Sequence, residues 1–305
     1  MTTSEHQHQQ SHEGHGGHGH GGHGHGHGHG AYDPSNLVRS DTFYGEVYQE
    51  IIDWLGIGSG TAALEAGSGA GGFTALLAGA VGPDGSVAAL DVTPELLETA
   101  KQRVEGSQVK GSVSFHEGDI QHLPFEDGRF DLVWSSRTIH HLPDQLAGVR
   151  EVARVLKPGG RFALREGGLR PRFLPTDTGI TAPGLEDRLE VAFDQWFQKN
   201  VREGEGVVRY PHGWTQLLAD AGLTNVSAKT FMLELLPPFS HAHTEFMLNL
   251  IKRWVNSEER TAFISAEDAE AIRQLTDPQS PDYAFNRDDL HYMEGITVYT
   301  GQAPS

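Results

Sequence analysis

"LEAGSGAGGFTALLAG", residues 64–79, places an acidic residue and several glycines where a short apolar strand turns into a helix. A glycine turn in that position lets the backbone come close to a nucleotide-like ligand. "TAALEAG" (61–67) reads as the strand and "GGFTALLAGAVG" (71–82) as the helix, which stops at Gly-Pro-Asp-Gly. Taken alone, Gly67, Gly69 and Gly72 fit the dinucleotide spacing, with Asp91 about twenty residues further on. A phosphate-cradling loop is excluded, because no Lys-Ser or Lys-Thr follows the glycines.

The chain on either side repeats the same strand and helix alternation. Ahead of the loop, "DTFYGEVYQEIIDWLGI" (41–57) predicts an amphipathic helix with Val47, Ile51 and Leu55 on one side. Beyond it, "SVAALDV" (86–92), "VSFHEGDI" (113–120), "FDLVWSS" (130–136) and "RFALREG" (161–167) predict strands two to five. Two helices lie between them: "TPELLETAKQRVEG", N-capped by Thr93 with Pro94 in its first turn, and "DQLAGVREVARVL", ending at the turn "KPGG". Short apolar strands alternating with helices imply an α/β fold whose largely parallel sheet is covered on both faces. Later, "HGWTQLLADAGL" reads as a helix, and "NVSAKTFMLELL" and "GITVYTGQ" as strands. Two stretches interrupt this series, about 169–209, with Leu189, Phe193, Trp196 and Phe197 on one helix face, and about 238–291, with helices at 243–256 and 265–275. Each follows a strand end on the ligand side of an open sheet, so each is material for a substrate lid; packing on the sheet or a homodimer contact explains them equally well.

Composition removes several classes of function. With 23 Lys and Arg against 41 Asp and Glu, the formal charge is −18, which disfavours nonspecific binding to nucleic acid or to an anionic membrane. Small neutral, cationic or peptide substrates fit that balance better. The absence of cysteine excludes disulfides, thiolate catalysis and Cys-ligated zinc, and is compatible with the cytoplasm. Neither a signal peptide nor a membrane anchor is expected. Residues 1–30 hold ten of the eighteen histidines, mostly interleaved with glycine, and lack the apolar side chains needed to offset ordering entropy. This tail is expected to be disordered, able to wrap adventitious Zn, Ni or Cu without imposing geometry, and the folded body from 31 to 305 is expected to hold no catalytic metal.

Several spaced motifs decide which ligand the glycine loop serves. "EAGSGAGG", Asp91 at the end of strand two, "GDIQHLPFEDGRFDLVWSSRTIHHLPD" and "LKPGGRFAL" follow one another over residues 60–168. In that order they resemble the class I S-adenosylmethionine-dependent methyltransferases, and within them the branch that includes the ubiquinone and menaquinone biosynthetic enzymes. The resemblance implies a Rossmann-like, doubly wound, mostly parallel seven-stranded sheet with helical insertions after strands five and six. It also implies that Glu65, with Gly67, Ser68, Gly69 and Gly71, holds the methionine end of the cofactor. Asp91 would face the ribose and Asp119 and Ile120 the adenine, and Val92 and Ser135 would also belong to the cofactor site. The residue chemistry agrees: the cofactor carries a sulfonium and a zwitterion but no phosphate, and Glu65, Asp91 and Asp119 are carboxylates at predicted strand ends.

Methyl transfer from a sulfonium is an in-line displacement, and a general base is needed only when the nucleophile must lose a proton. His140 and His141, just past strand four, are candidate bases, although either could instead hold the loop. Arg137 could anchor an acidic group of the substrate. Glu166, at the end of strand five, points to the substrate side, and Arg165 beside it should face the other way by strand alternation. Tyr44 and Tyr48, with Tyr210 and His212, are candidate lid contacts, though aromatics at such spacing are commonly core. The readings set against an enzyme of this type are a cofactor-binding protein without turnover, a metal-handling protein working through the His-rich tail, and a dehydrogenase.

Overall fold

Alternation along the central strands feeds two apolar cores at once. In the computed structural model, which describes residues 34–204 and 206–305, Leu132, Trp134 and Ala163 face one core, while Val133, Phe162 and Leu164 face the other. The expected tail and its metal binding lie outside the described residues. Two helices, α1 (Pro34–Phe43) and α2 (Gly45–Leu55), lead into β1 (Ala62–Ala66), α3 (Gly72–Val81), β2 (Ser86–Asp91), α4 (Pro94–Gly106) and β3 (Ser112–Glu117). There follow β4 (Phe130–Ser136), α5 (Gln145–Val155), β5 (Leu156–Arg165), β6 (Leu169–Arg172), α6 (Leu185–Phe197) and α7 (Trp214–Asp220). The chain ends with β7 (Thr224–Leu235), α8 (His241–Lys252), α9 (Glu258–Thr261), α10 (Ala266–Thr276) and β8 (Tyr292–Gln302).

The sheet runs β3-β2-β1-β4-β5-β8, with β7 on the far side of β8 and β6 continuing the line of β5. The pairs from β3 to β5 are parallel, and β8 is antiparallel to β5, β6 and β7. The seven expected rows are present, with the fifth broken into two strands, so residues 169–172 belong to the sheet and not to an insertion. Gly168, at φ +102°, makes that break: a Cβ there would fall 2.0 Å from the Gly295 carbonyl oxygen. The helix expected over 41–57 is also two helices. Its break at Tyr44 lets Phe43 and Tyr44, adjacent in sequence, both enter the core. Lys157–Gly160, expected as a turn, is an irregularity inside β5, where pairing with β4 jumps from Phe130–Leu156 to Leu132–Arg161.

One core packs α2 and α3 on the sheet through Val47, Ile51, Leu55, Leu77 and Val81. The other packs α5 through Val149, Val152 and Val155. Each such side chain, fully buried, contributes about 1.5–3 kcal/mol. The two inserted segments join the first core: Leu185, Leu189 and Ala192 of α6, and Met247, Ile251 and Trp254 at α8, are all buried there. Arg188 of α6 donates to Asp268 of α10 at 2.6 Å, and Trp196 donates to Glu259 of α9 at 2.7 Å, so the insertions are tied into one cap. Among the described residues no helix is long and apolar enough to cross a membrane.

Candidate active site

Strand order reverses between β1 and β4, and the crevice at the carboxyl ends of these strands is where an open α/β sheet binds ligands. The glycine loop lies there. Gly67, at φ +82°, approaches the loop after β4 so closely that a Cβ would sit 2.3 Å from Thr138 Oγ1. Gly67 and Ser68 donate their N–H groups to the Leu90 carbonyl at 2.8 and 2.9 Å, and Gly69 donates to Asp91 Oδ2 at 2.9 Å. The other Asp91 oxygen accepts from Thr93 N at 3.0 Å. Burial raises the Asp91 pKa, although these backbone donors oppose the shift.

Glu65 is 3% exposed and accepts a hydrogen bond from Thr74 in α3. Burial pushes its pKa well above the ordinary carboxylate value, only partly countered by Thr74. Ser68 Oγ is buried with no hydrogen-bond partner among the described residues, and Val92 beside Asp91 is 63% exposed. A buried acid, an unused hydroxyl and an uncovered apolar side chain suit an ammonium, a carboxylate and an adenine edge. The donor set therefore fits S-adenosylmethionine and offers nothing aimed at a pyrophosphate. Asp119 is exposed and caps the short 3₁₀ turn Ile120–His122 through Gln121 N at 2.9 Å, which sets the buried Ile120 in place.

Past β4, His140 and Glu166 form a dyad. His140 Nδ1 lies 2.6 Å from Glu166 Oε2, and His140 N donates to Oε1 at 3.2 Å. The carboxylate is 3% exposed and the imidazole 23%, so the acid is locked in while the ring can be reached. A neutral ring that donates from Nδ1 to a carboxylate keeps Nε2 as an acceptor. The His141 ring lies 4.0 Å from His140, and Phe197 of α6 is 5.6 Å from His140. Arg137 is exposed and sits at φ +53°, a left-handed conformation that costs a non-glycine residue about 1–2 kcal/mol.

Known proteins resemble this chain. The family model described as "Methyltransferase domain" matches residues 64–164. A demethylmenaquinone methyltransferase from Bacillus mycoides is 31% identical over 207 residues, spanning 66% of this chain and 85% of that protein. The chain belongs to the class I S-adenosylmethionine-dependent methyltransferases. Methyltransferase GfsG from Streptomyces halstedii is 34% identical over 134 residues, 44% of this methyltransferase, and the match spans about half, 48%, of that relative. Among solved structures, the YcgJ protein from Bacillus subtilis has the same fold, with a TM-score of 0.52 at 23% identity over 85% of this chain and 98% of that one. So does phosphoethanolamine N-methyltransferase 2 of Haemonchus contortus, in complex with S-adenosyl-L-methionine, with a TM-score of 0.53 at 17% identity over 91% of this chain and 59% of that one.

Other residues singled out in the sequence have the following partners in the methyltransferase. Ser135 is fully buried and donates to the Ala66 carbonyl at 2.8 Å, so its hydroxyl braces β4 against β1. Tyr44 is 1% exposed within the first core and donates to Glu294 at 2.8 Å. Tyr210 donates to Asp220 of α7 at 2.7 Å and packs on the second core. Arg165 faces opposite to Glu166, as alternation requires, and donates to Tyr48 at 2.6 Å.

Sequence reasoning missed Asp41 and Arg103. Asp41 of α1 crowds Gly72, and Arg103 of α4 donates to it at 2.5 Å and to the Ala70 carbonyl at 2.7 Å. Together they clamp the glycine loop from outside. No motif or spacing announces them, because the contact joins elements 62 residues apart.

Proposed function

We propose that this chain transfers a methyl group from S-adenosylmethionine to an O, N or C nucleophile of a small molecule in the cytoplasm, within biosynthesis or secondary metabolism. The observation that carries this reading is the buried Glu166 holding a reachable His140 beside the glycine loop. Glu65 binds the amino group of the cofactor, the unused Ser68 hydroxyl its carboxylate, Asp91 the ribose hydroxyls, and Val92, Asp119 and Ile120 the adenine. Each Asp91 oxygen retains a lone pair after accepting its backbone hydrogen bond. The bound cofactor supplies an electrophilic methyl group on sulfur. The protein supplies position, worth up to roughly 7–11 kcal/mol, and a base for nucleophiles that must shed a proton.

Glu65 gives this assignment a pH signature. Its folded pKa is raised, so the unliganded fold holds a proton that the unfolded chain loses at the ordinary value of about 4.3. Stability contributed by that proton is complete below the unfolded pKa and is lost as pH rises toward the folded one. A cationic amino group favours the ionised acid, so binding expels the proton and affinity climbs with pH across the same window. S-adenosylhomocysteine affinity is expected to rise by up to about tenfold per pH unit there. Glu65→Gln should flatten the rise, and an equal slope in both proteins would remove Glu65 from this role.

Labelled methyl transfer from S-adenosylmethionine into an extract of the producing organism, followed by separation of small molecules from macromolecules, tests the function itself. Enzyme-dependent label is expected in the small-molecule fraction. Label confined to protein, or no label from a protein that binds S-adenosylhomocysteine, overturns the proposal.

A further inference from the structure

The substrate side runs against the overall charge of −18. Arg253 ends α8, and its Nε is closed off from solvent with no hydrogen-bond partner among the described residues. Burial, followed by the like charges of Arg260, Arg137 and Arg170, pushes its pKa down to about 9. Arg170 is itself paired with Asp194, but Arg260 and Arg137 add positive charge beside Arg253, and an anion placed among them would reverse the sign of the interaction. Arg253 lies 5.7 Å from the ring centre of Phe193, near the outer limit of cation–π attraction.

The same ring leads to the dyad. Phe193 stacks with Phe197 at 5.8 Å, and Phe197 lies 5.6 Å from His140, so three steps of under 6 Å connect the cation to the base. Phe193 and Phe197 are both half-buried, leaving ring surface for an apolar body. Arg137, in its left-handed backbone conformation, reaches the same region from the loop that carries His140. We infer that Arg253, assisted by Arg137, binds the anionic group of an acceptor whose planar apolar body lies along Phe193 and Phe197 toward His140. A planar guanidinium fork suits carboxylate and phosphate alike. The inference rests on the methyltransferase reading and narrows its substrate to aromatic or similarly flat acids.

Benzoate, phenyl phosphate and benzamide titrated into the full chain saturated with S-adenosylhomocysteine provide the test. At least one of the two anions is expected to bind about tenfold or more tightly than benzamide. Benzoate would identify a carboxylate site and phenyl phosphate a phosphate site. Arg253→Gln should abolish this preference, while Arg273→Gln, on the exposed face of α10, should keep it. Removing an unneutralised cation should leave the Tm of the unliganded Arg253→Gln protein equal to or above that of the parent. A lower Tm with loss of S-adenosylhomocysteine binding would make Arg253 structural and overturn the inference, as would equal binding of benzamide and the two anions. Methyl transfer and S-adenosylhomocysteine binding are measured on the same preparation. If both succeed while the anions are not preferred, only the anion site falls; if both fail, the methyltransferase reading falls with it.

Discussion

His140→Gln is expected to lower kcat by about a hundredfold to ten-thousandfold while S-adenosylhomocysteine affinity stays within about twofold. Glutamine fills a similar space but accepts no proton, so the substitution isolates the proton transfer from the shape of the pocket. The buried Glu166, 2.6 Å from Nδ1, fixes the ring and stabilises the imidazolium that forms when Nε2 takes a proton. Glu166→Gln should therefore also reduce kcat, by about tenfold or more, because the amide can hold the opposite tautomer. His141→Gln should have a smaller effect, since Glu166 holds its neighbour. Single-turnover rates with saturating cofactor measure all three. An unchanged rate in His140→Gln would mean that the nucleophile reacts without this base.

The second large effect concerns folding. Glu294→Ala is expected to destabilise the protein by about 3–5 kcal/mol, measured by urea unfolding, because it leaves a buried cation uncompensated. Glu294 of β8 accepts from Tyr44 at 2.8 Å and Tyr292 at 2.6 Å and lies 3.9 Å from Arg165. The side chains of Arg165 and Glu294 are only 5% and 11% exposed. Burial disfavours the Arg165 cation, yet Tyr48, Tyr44 and Glu294 outweigh burial and raise its pKa, and the guanidinium also lies 4.4 Å from the Tyr44 ring centre. Glu294→Gln keeps an acceptor for the phenols and should cost less, about 1–3 kcal/mol. A loss of under about 1 kcal/mol in Glu294→Ala would mean that water or another acid replaces the carboxylate. Because Arg165 and Glu166 are adjacent on opposite faces, this network also anchors the strand end that carries the acid of the dyad.

The core from β1 to β5 was legible in the chain because its signals are local. Period-two alternation predicts the strands, the Gly-Pro-Asp-Gly stop and Thr93-Pro94 start mark helix ends, and an acid two residues before Gly67 marks the ligand loop. Where a local signal has two structural outcomes, the expectation went astray. Lys157–Gly160 has turn composition but becomes an irregularity within β5, because its flanks pair with β4 on both sides. Residues 169–172 look like the start of an insertion but continue the line of β5, because β8 is long enough to pair with both pieces.

The sequence by itself determined the family, the glycine loop with its acids, and the two histidines after strand four, all through residues within a few positions of one another. Tertiary structure alone decided what those residues do. It joined His140 to Glu166, brought Asp41 and Arg103 to the loop, set Glu294 against Tyr44 across 250 residues, and carried Phe197 to His140 and Arg253 to Phe193. Hydrophobic patterning marks a side chain for burial without naming its partner, and these partners, distant in sequence, meet only when the sheet and the helices packed on it assemble.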